Sequence, residues 1–366
     1  MSIEKTDAIV LRTVDFSESS LVLTLYTRDF GKVRGLAKGA RRLKNPFETS
    51  LDFLASIKLT FIRKNTDALD LCTESKLARR FRPNERNLRG LYAAYYVAEL
   101  LDHMTEDYDP DPGLFRLADL TLESLETRGR VGSLVFAFEA GLLDLFGVFP
   151  STRRCVECGE PLPLDRVLNL ERPIWFENDM GGVVCRNCLA RNRTPGLVPT
   201  TIGAFKALEE SRRAAEKLIL YTASFERNLA RQYARAKDES AVAIDEITRN
   251  AAVVRDAIER ETFAKLEAFD AKSKDALRTL LNRYFARITQ RNSRTRGYLG
   301  YATRGEPFPR LGDLVKALED ESRRSRSWGI RNAESRERRT TRQAGAQPLV
   351  ANQSADGVGV PSRTSQ

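Results

Sequence analysis

The sequence predicts an α+β protein in which a small all-β unit comes first and helices follow. Three features carry that expectation. Hydrophobicity alternates with period two from Thr6 to about Ser75, then takes a helical period between Pro83 and Pro150. Two CxxC pairs, Cys155/Cys158 and Cys185/Cys188, mark a compact metal module embedded in the helical part. Beyond about Arg304 the periodicity is lost, leaving arginines among serines and threonines. The chain therefore divides into a barrel over residues 1–80, a helical bundle over 81–150, a four-cysteine module over 151–195, a helical region over 196–304 and a disordered basic tail over 305–366.

Five runs read as strands: Ala8 to Val14, Leu21 to Thr27, Lys32 to Lys38, Leu51 to Ile62 and Ala68 to Thr73. The fourth alternates most clearly, with Leu51, Phe53, Ala55, Ile57, Leu59 and Phe61 on one face and Leu54 the one apolar residue on the other. Five short strands in fewer than about eighty residues suggest a small closed barrel. The OB-fold is the commonest five-stranded solution, and an SH3-like barrel is its competitor.

The third strand and its exit concentrate positive charge. Alternation places Val33, Gly35 and Ala37 on one face and Lys32, Arg34, Leu36 and Lys38 on the other; Arg41, Arg42 and Lys44 continue the track. Same-face neighbours lie about 6–7 Å apart, close to the phosphate spacing of an extended strand. Lysines can also guard an edge strand. Six cations with no acid between them exceed that need, so these residues are candidate nucleic-acid contacts, with Arg12 a weaker one.

Apolar residues at helical spacing follow: Leu88 to Leu101, then Leu114 to Leu125 after the breaker Asp111-Pro112-Gly113, then about Val131 to Phe146 before Gly147. Phe136, Phe138, Leu142, Leu145 and Phe146 read as core. The segment between the CxxC pairs allows a hairpin to bring four sulfurs together, and Gly159 suits a tight knuckle. Four thiolates leave a zinc ion no open position, so the site is structural. His103 reads as a packed or surface residue, and Cys72 as a buried thiol. Pro199-Thr200-Thr201 offers a helix N-cap, and about Glu209 to Ser273 reads as a long charged helical hairpin. The last helix, about Lys274 to Ser293, places Arg283, Arg287 and Arg291 at turn spacing. They serve either the helix dipole or a second nucleic-acid surface.

Of the 366 residues, 42% are hydrophobic and 30% charged, and the net charge of +10 favours an anionic partner, nucleic acid or an acidic membrane surface. No apolar run approaches bilayer length, and Met1 to Lys5 lacks the apolar core of a signal peptide, so a cytoplasmic location is expected. One histidine and no Walker-type or HExxH motif weigh against a hydrolase or nuclease, and the expectation is a protein that is not an enzyme.

Several stretches resemble the RecO family of bacterial recombination mediators: Ile9 to Arg12, Glu18 to Thr27 and Gly31 to Arg42, with Lys38-Gly39-Ala40-Arg41-Arg42 the most telling. The resemblance continues through Tyr95 to Asp102, Phe138 to Leu143, Cys155-x-x-Cys158-Gly159 and Gly181 to Cys188, with a weaker echo from Asp275 to Leu299. It implies a DNA repair protein that binds single- and double-stranded DNA, anneals complementary strands and works with RecR to replace single-strand-binding protein by RecA, in the nucleoid. It also marks residues 209–273 as an insertion, since the family usually runs from the helix after the zinc module almost directly to the last helix. A competing class is a zinc-ribbon and OB-fold factor of transcription or translation, which would prefer RNA and anneal DNA poorly.

Overall fold

The computed structural model describes residues 2–47, 50–64, 68–82, 88–126, 130–166, 169–191, 196–235, 241–290 and 295. The expected disordered tail and Arg291 lie outside the described residues. Strands β1 (Ser2–Asp15), β2 (Leu21–Thr27), β3 (Gly31–Ala37), β4 (Ser56–Arg63) and β5 (Asp70–Arg79) close into a barrel in the order β1-β2-β3-β5-β4. A three-strand meander followed by an exchanged pair is the Greek-key order of the OB-fold, not that of its competitor. β1 serves both β2 and β4, bending at a bulge between Val10 and Arg12. The parallel β3–β5 contact spans only Gly35–Asp70 to Ala37–Cys72. A Cβ at Gly35 would lie 2.4 Å from Cys72 Sγ, so the glycine is what lets the strands close. Cys72 is buried as expected, and burial first, then the Asp70 charge, push its thiol up to about 12.

The interior holds Ala8, Val10, Leu23, Leu25, Val33, Ala37, Ile57, Leu59 and Phe61. The fourth strand departs from expectation. It begins at Ser56, and residues 51–55 form a turn in which Leu54 takes a left-handed φ of 64°. Leu54 N–H donates to Val10 O at 2.8 Å, and Val10 N–H to Ala55 O at 3.0 Å. Leu54, expected outside, is fully buried; Phe53, expected inside, is exposed and meets Tyr95 edge-on. Burying Leu54 offsets the roughly 1–2 kcal/mol of the left-handed backbone.

Helices α1 (Leu88–Met104), α2 (Pro112–Leu125) and α3 (Val131–Leu145) pack beside the barrel. Asp111 Oδ1 accepts from Leu114 N–H at 2.9 Å and Pro112 fills the first turn, so the expected breaker acts as a cap. Arg79 of β5 clamps α2 through Asp119 at 2.7 Å and Glu126 at 2.5 Å. Burial nevertheless pushes the Glu126 carboxyl up, against the pull of Arg79. Phe136, Phe138 and Leu142 are core as expected, whereas Leu145 and Phe146 end exposed at the helix terminus.

A second sheet, β6 (Pro173–Glu177), β7 (Gly182–Val184) and β8 (Leu197–Thr201), has the order β7-β6-β8, and the short α4 (Arg186–Arg191) follows β7. Helix α5 (Ile202–Arg235) starts where Thr201 Oγ1 accepts from Ala204 N–H at 3.1 Å. It runs without a break through residue 209 and pairs with α6 (Ala241–Glu267), so the helical hairpin expected from about Glu209 begins inside α5. Helix α7 (Ala271–Thr289) buries Leu277, Leu280, Leu281, Tyr284 and Phe285. No helix among the described residues is long and apolar enough to cross a membrane.

Candidate metal centre and nucleic-acid interface

The β6–β7 hairpin folds the second CxxC pair onto the first. Val156 N–H donates to Val183 O at 3.0 Å and Ser151 N–H to Gly181 O at 2.9 Å, which fixes the two knuckles side by side. The four cysteine sulfurs lie within 4.8 Å of one another, and Cys158 Sγ is 3.7 Å from Cys185 Sγ. Tetrahedral zinc–thiolate bonds of about 2.3 Å require sulfurs about 3.8 Å apart. A disulfide needs about 2.05 Å, so the cluster has metal geometry rather than disulfide geometry. Cys185 N–H donates to Cys155 Sγ at 3.3 Å and Cys188 N–H to Cys185 Sγ at 3.4 Å. Gly159 has the left-handed φ of 73° that its knuckle requires, but its N–H bonds Cys155 O at 2.9 Å rather than a sulfur.

Burial alone would raise the Cys155 thiol, but N–H groups of Cys185, Cys158 and Glu157 hold it down to about 7. Cys188 goes the other way, chiefly because it shares a proton with Cys158. Four thiolates this close repel one another unless a cation sits between them. Cys155, Cys158, Cys185 and Cys188 are therefore positioned to hold one metal ion with no coordination position left open.

On the barrel, the strand register aligns Arg12, Thr24 and Arg34 in one row across β1, β2 and β3, with both arginines exposed. Past β3 the chain turns at Gly39, whose φ is 71°, and forms an arm from Lys38 to Lys44. Arg41 N–H donates to Ser19 O at 3.1 Å and Gly39 N–H to Ser20 Oγ at 3.4 Å, tying the arm to the β1–β2 turn. Asn45 Nδ2 donates to Arg42 O at 2.7 Å, and Phe47 anchors the far end in the core. Lys38, Arg41, Arg42 and Lys44 are all exposed. Arg41 pairs with Asp15 at 3.3 Å; among the described residues no carboxylate pairs with the other three.

Lys32 departs from expectation. It points away from the barrel interior, but the end of α1 covers it and it is only 5% exposed. Its Nζ donates to Asp102 O at 2.7 Å and Thr105 O at 2.6 Å, with the Asp102 and Asp107 carboxylates at 3.8 and 4.0 Å. A cation on the last carbonyls of a helix is favourable for both the hydrogen bonds and the dipole. Lys32 is therefore a helix cap and is withdrawn from the candidate contacts. Asp107, which the sequence reading passed over, also partners Arg34 at 3.3 Å. The loop carrying it crosses so close to Gly31 that a Cβ there would lie 2.2 Å from Asp109 O. Replacing Lys32 with methionine is expected to cost about 2–4 kcal/mol, because the buried Thr105 carbonyl and the part-buried Asp102 carbonyl lose a charged donor. DNA affinity per folded molecule should not change. Urea denaturation and binding titrations check this; a loss under about 0.5 kcal/mol, the range of an ordinary surface change, would refute the capping role.

The last-helix cations stand apart from the barrel arm. Arg283 and Arg287 are exposed on α7, which packs on α5 and β8, and Arg287 pairs with Asp179 at 2.6 Å.

The fold is an OB barrel with an exposed cationic arm, joined to helices beside four cysteines positioned to hold one metal ion. The family model described as Recombination protein O N terminal matches residues 1–81, and the one described as Recombination protein O C terminal matches residues 85–231. The second match extends past residue 209 to near the end of α5. "DNA repair protein RecO" of Rhodopirellula baltica is 46% identical over 203 residues, which is 56% of this chain and 73% of that protein. The proteins of the same name from Geobacter metallireducens and Syntrophus aciditrophicus are 34% and 31% identical, covering 51% and 56% of this chain and 73% and 76% of theirs. The chain belongs to the RecO family of DNA repair proteins.

Proposed function

We propose that this chain is a recombination mediator of the RecO type. It binds single- and double-stranded DNA, anneals complementary strands and, with RecR, helps RecA replace single-strand-binding protein. The observation that carries the reading is the arm of Lys38, Arg41, Arg42 and Lys44 on an OB barrel, in a chain whose relatives are named DNA repair proteins. Annealing requires two phosphate backbones to approach while their bases stay free to pair. Cations on an exposed arm lower that repulsion without covering base edges. No bond is made or broken in this role, so the protein acts without catalytic residues. Arg12 and Arg34 extend the contact along the barrel, and Arg283, Arg287 and Arg291 offer a second one. The basic tail adds sequence-independent attraction in the cytoplasm, where the nucleoid is the target. The metal is zinc, with a structural role set by its four thiolates.

The test is annealing of labelled complementary strands, naked and coated with single-strand-binding protein. The expected result is faster annealing of both, with the coated reaction stimulated further by RecR. Tight RNA binding with no acceleration of DNA annealing would overturn the reading in favour of an RNA-directed OB-fold factor.

A further inference from the structure

We propose that Phe16 is a stacking platform for an unpaired nucleobase, a reading that rests on the arm being a DNA contact. Phe16 sits in the β1–β2 turn and is 63% exposed, more than any other barrel phenylalanine. Other barrel phenylalanines are placed differently. Phe47 and Phe61 are buried, Phe30 packs edge-on against Phe61 at 5.4 Å, and the exposed Phe53 is already engaged edge-on by Tyr95 at 5.1 Å. Loop laxity does not account for the exposure. Phe16 N–H donates to Ser20 O at 3.0 Å and Ser17 N–H to the same oxygen at 3.4 Å, which closes the turn.

The surroundings identify the occupant. The turn that presents Phe16 is bonded to the cationic arm through Ser19 O to Arg41 N–H at 3.1 Å and Ser20 Oγ to Gly39 N–H at 3.4 Å. The residue before it, Asp15, holds the Arg41 guanidinium at 3.3 Å. An apolar peptide would want an apolar surround, but the residues that follow Phe16 in the turn are Ser17, Glu18 and Ser19, with Ser17 and Glu18 exposed. A π face beside phosphate-binding cations is the pairing that single-strand binders use, because every base offers a π face while the phosphates supply the charge.

This divides the work between two parts of one surface. The arm attracts any phosphate backbone, single or double. Phe16 adds affinity only where a base is free to leave its stack, so it favours single strands over duplex. Once a complementary strand pairs with that base, the stacking contact is lost and the annealed product is released more readily.

Full-length Phe16→Trp and Phe16→Ala variants test this against oligothymidylate, an abasic deoxyribose-phosphate oligomer of equal length, and duplex. Fluorescence is read as the difference from the parent chain, which already holds two tryptophans. Oligothymidylate should quench the new tryptophan, and the abasic oligomer should not. Phe16→Ala should lower oligothymidylate affinity about tenfold and leave abasic and duplex binding within about twofold. An unchanged affinity, or equal losses on the abasic oligomer and oligothymidylate, would overturn the proposal. So would a fluorescence shift that anionic vesicles produce and oligothymidylate does not. A variant with alanine at Lys38, Arg41, Arg42 and Lys44 separates this from the parent reading. It should lose binding to all three ligands, and its retention of them would refute the arm without altering the base-against-abasic comparison.

Discussion

Cys185→Ser is expected to leave the protein without its metal and to lower its melting temperature by about 8–16 °C. Cys185 lies at the centre of the cluster: its sulfur is 3.7 Å from Cys158 Sγ and accepts from Cys188 N–H, while its own N–H donates to Cys155 Sγ. A serine oxygen is a poor zinc ligand, and three thiolates close together would repel. Structural zinc binds small peptides with an apparent 10–16 kcal/mol, and coupling about a quarter to a third of that to folding gives on the order of 4 kcal/mol. The damage should spread beyond the knuckles. Tyr284 of α7 packs on Gly181 and Phe176 and donates from its hydroxyl to Val148 O at 2.8 Å, and Thr152 bonds Glu209 of α5. Elemental analysis should give about one zinc per parent chain and almost none in the variant, and calorimetry should show the lower melting temperature. A metal-free variant that melts with the parent would refute the structural role.

The cysteine module was legible in the sequence because its chemistry is local. Two CxxC spacings and a hairpin-sized gap contain nearly all the geometry that brings four sulfurs within 4.8 Å. The barrel was legible for a different reason, since alternation survives wherever one strand face is buried. It misleads where burial is set by tertiary contact. Residues 51–55 alternate as well as any strand, yet Leu54 folds inward through bonds to Val10, and no period announces that. β5 continues to Arg79, past the sequence estimate, because the residue facing inward at position 75 is a serine that carries no hydrophobic signal.

Lys32 shows the limit for function. Its place in the alternation with Arg34 and Lys38 holds, and all three leave the barrel interior. Which of them meets water depends on the end of α1, about seventy residues away in sequence, whose carbonyls claim the Lys32 ammonium. Phe16 is the converse case. A single aromatic among serines carries no periodic signal, and only its exposure beside the arm makes it visible.

Combined alanine replacement at Lys38, Arg41, Arg42 and Lys44 is expected to weaken single-strand binding roughly 100-fold at about 0.15 M salt and to slow annealing in proportion. The size follows from counterion release. Each phosphate contact contributes about 0.7 to the log–log salt slope on single strands, or about fourfold in affinity at that salt, so four contacts multiply to a few hundredfold at most. The slope itself should flatten by about 2.8 units, which a merely misfolded protein would not show. Folding should survive, because all four side chains are exposed and, among the described residues, only Arg41 has an ion-pair partner, the exposed Asp15. Such a surface pair is worth at most about 1 kcal/mol. The arm's backbone bonds to Ser19 and Ser20 are unchanged by side-chain truncation. General charge is the rival explanation, since the chain carries a net +10. The control removes the same four charges from the hairpin of α5 and α6, at Arg213, Arg231, Arg260 and Lys265, all exposed. Cations farther from a bound strand than a Debye length of about 8–10 Å contribute little at that salt, so the control should cost less than about threefold. Equal losses from both sets would mean that DNA is held by diffuse attraction to the whole surface and that the barrel arm is not its site.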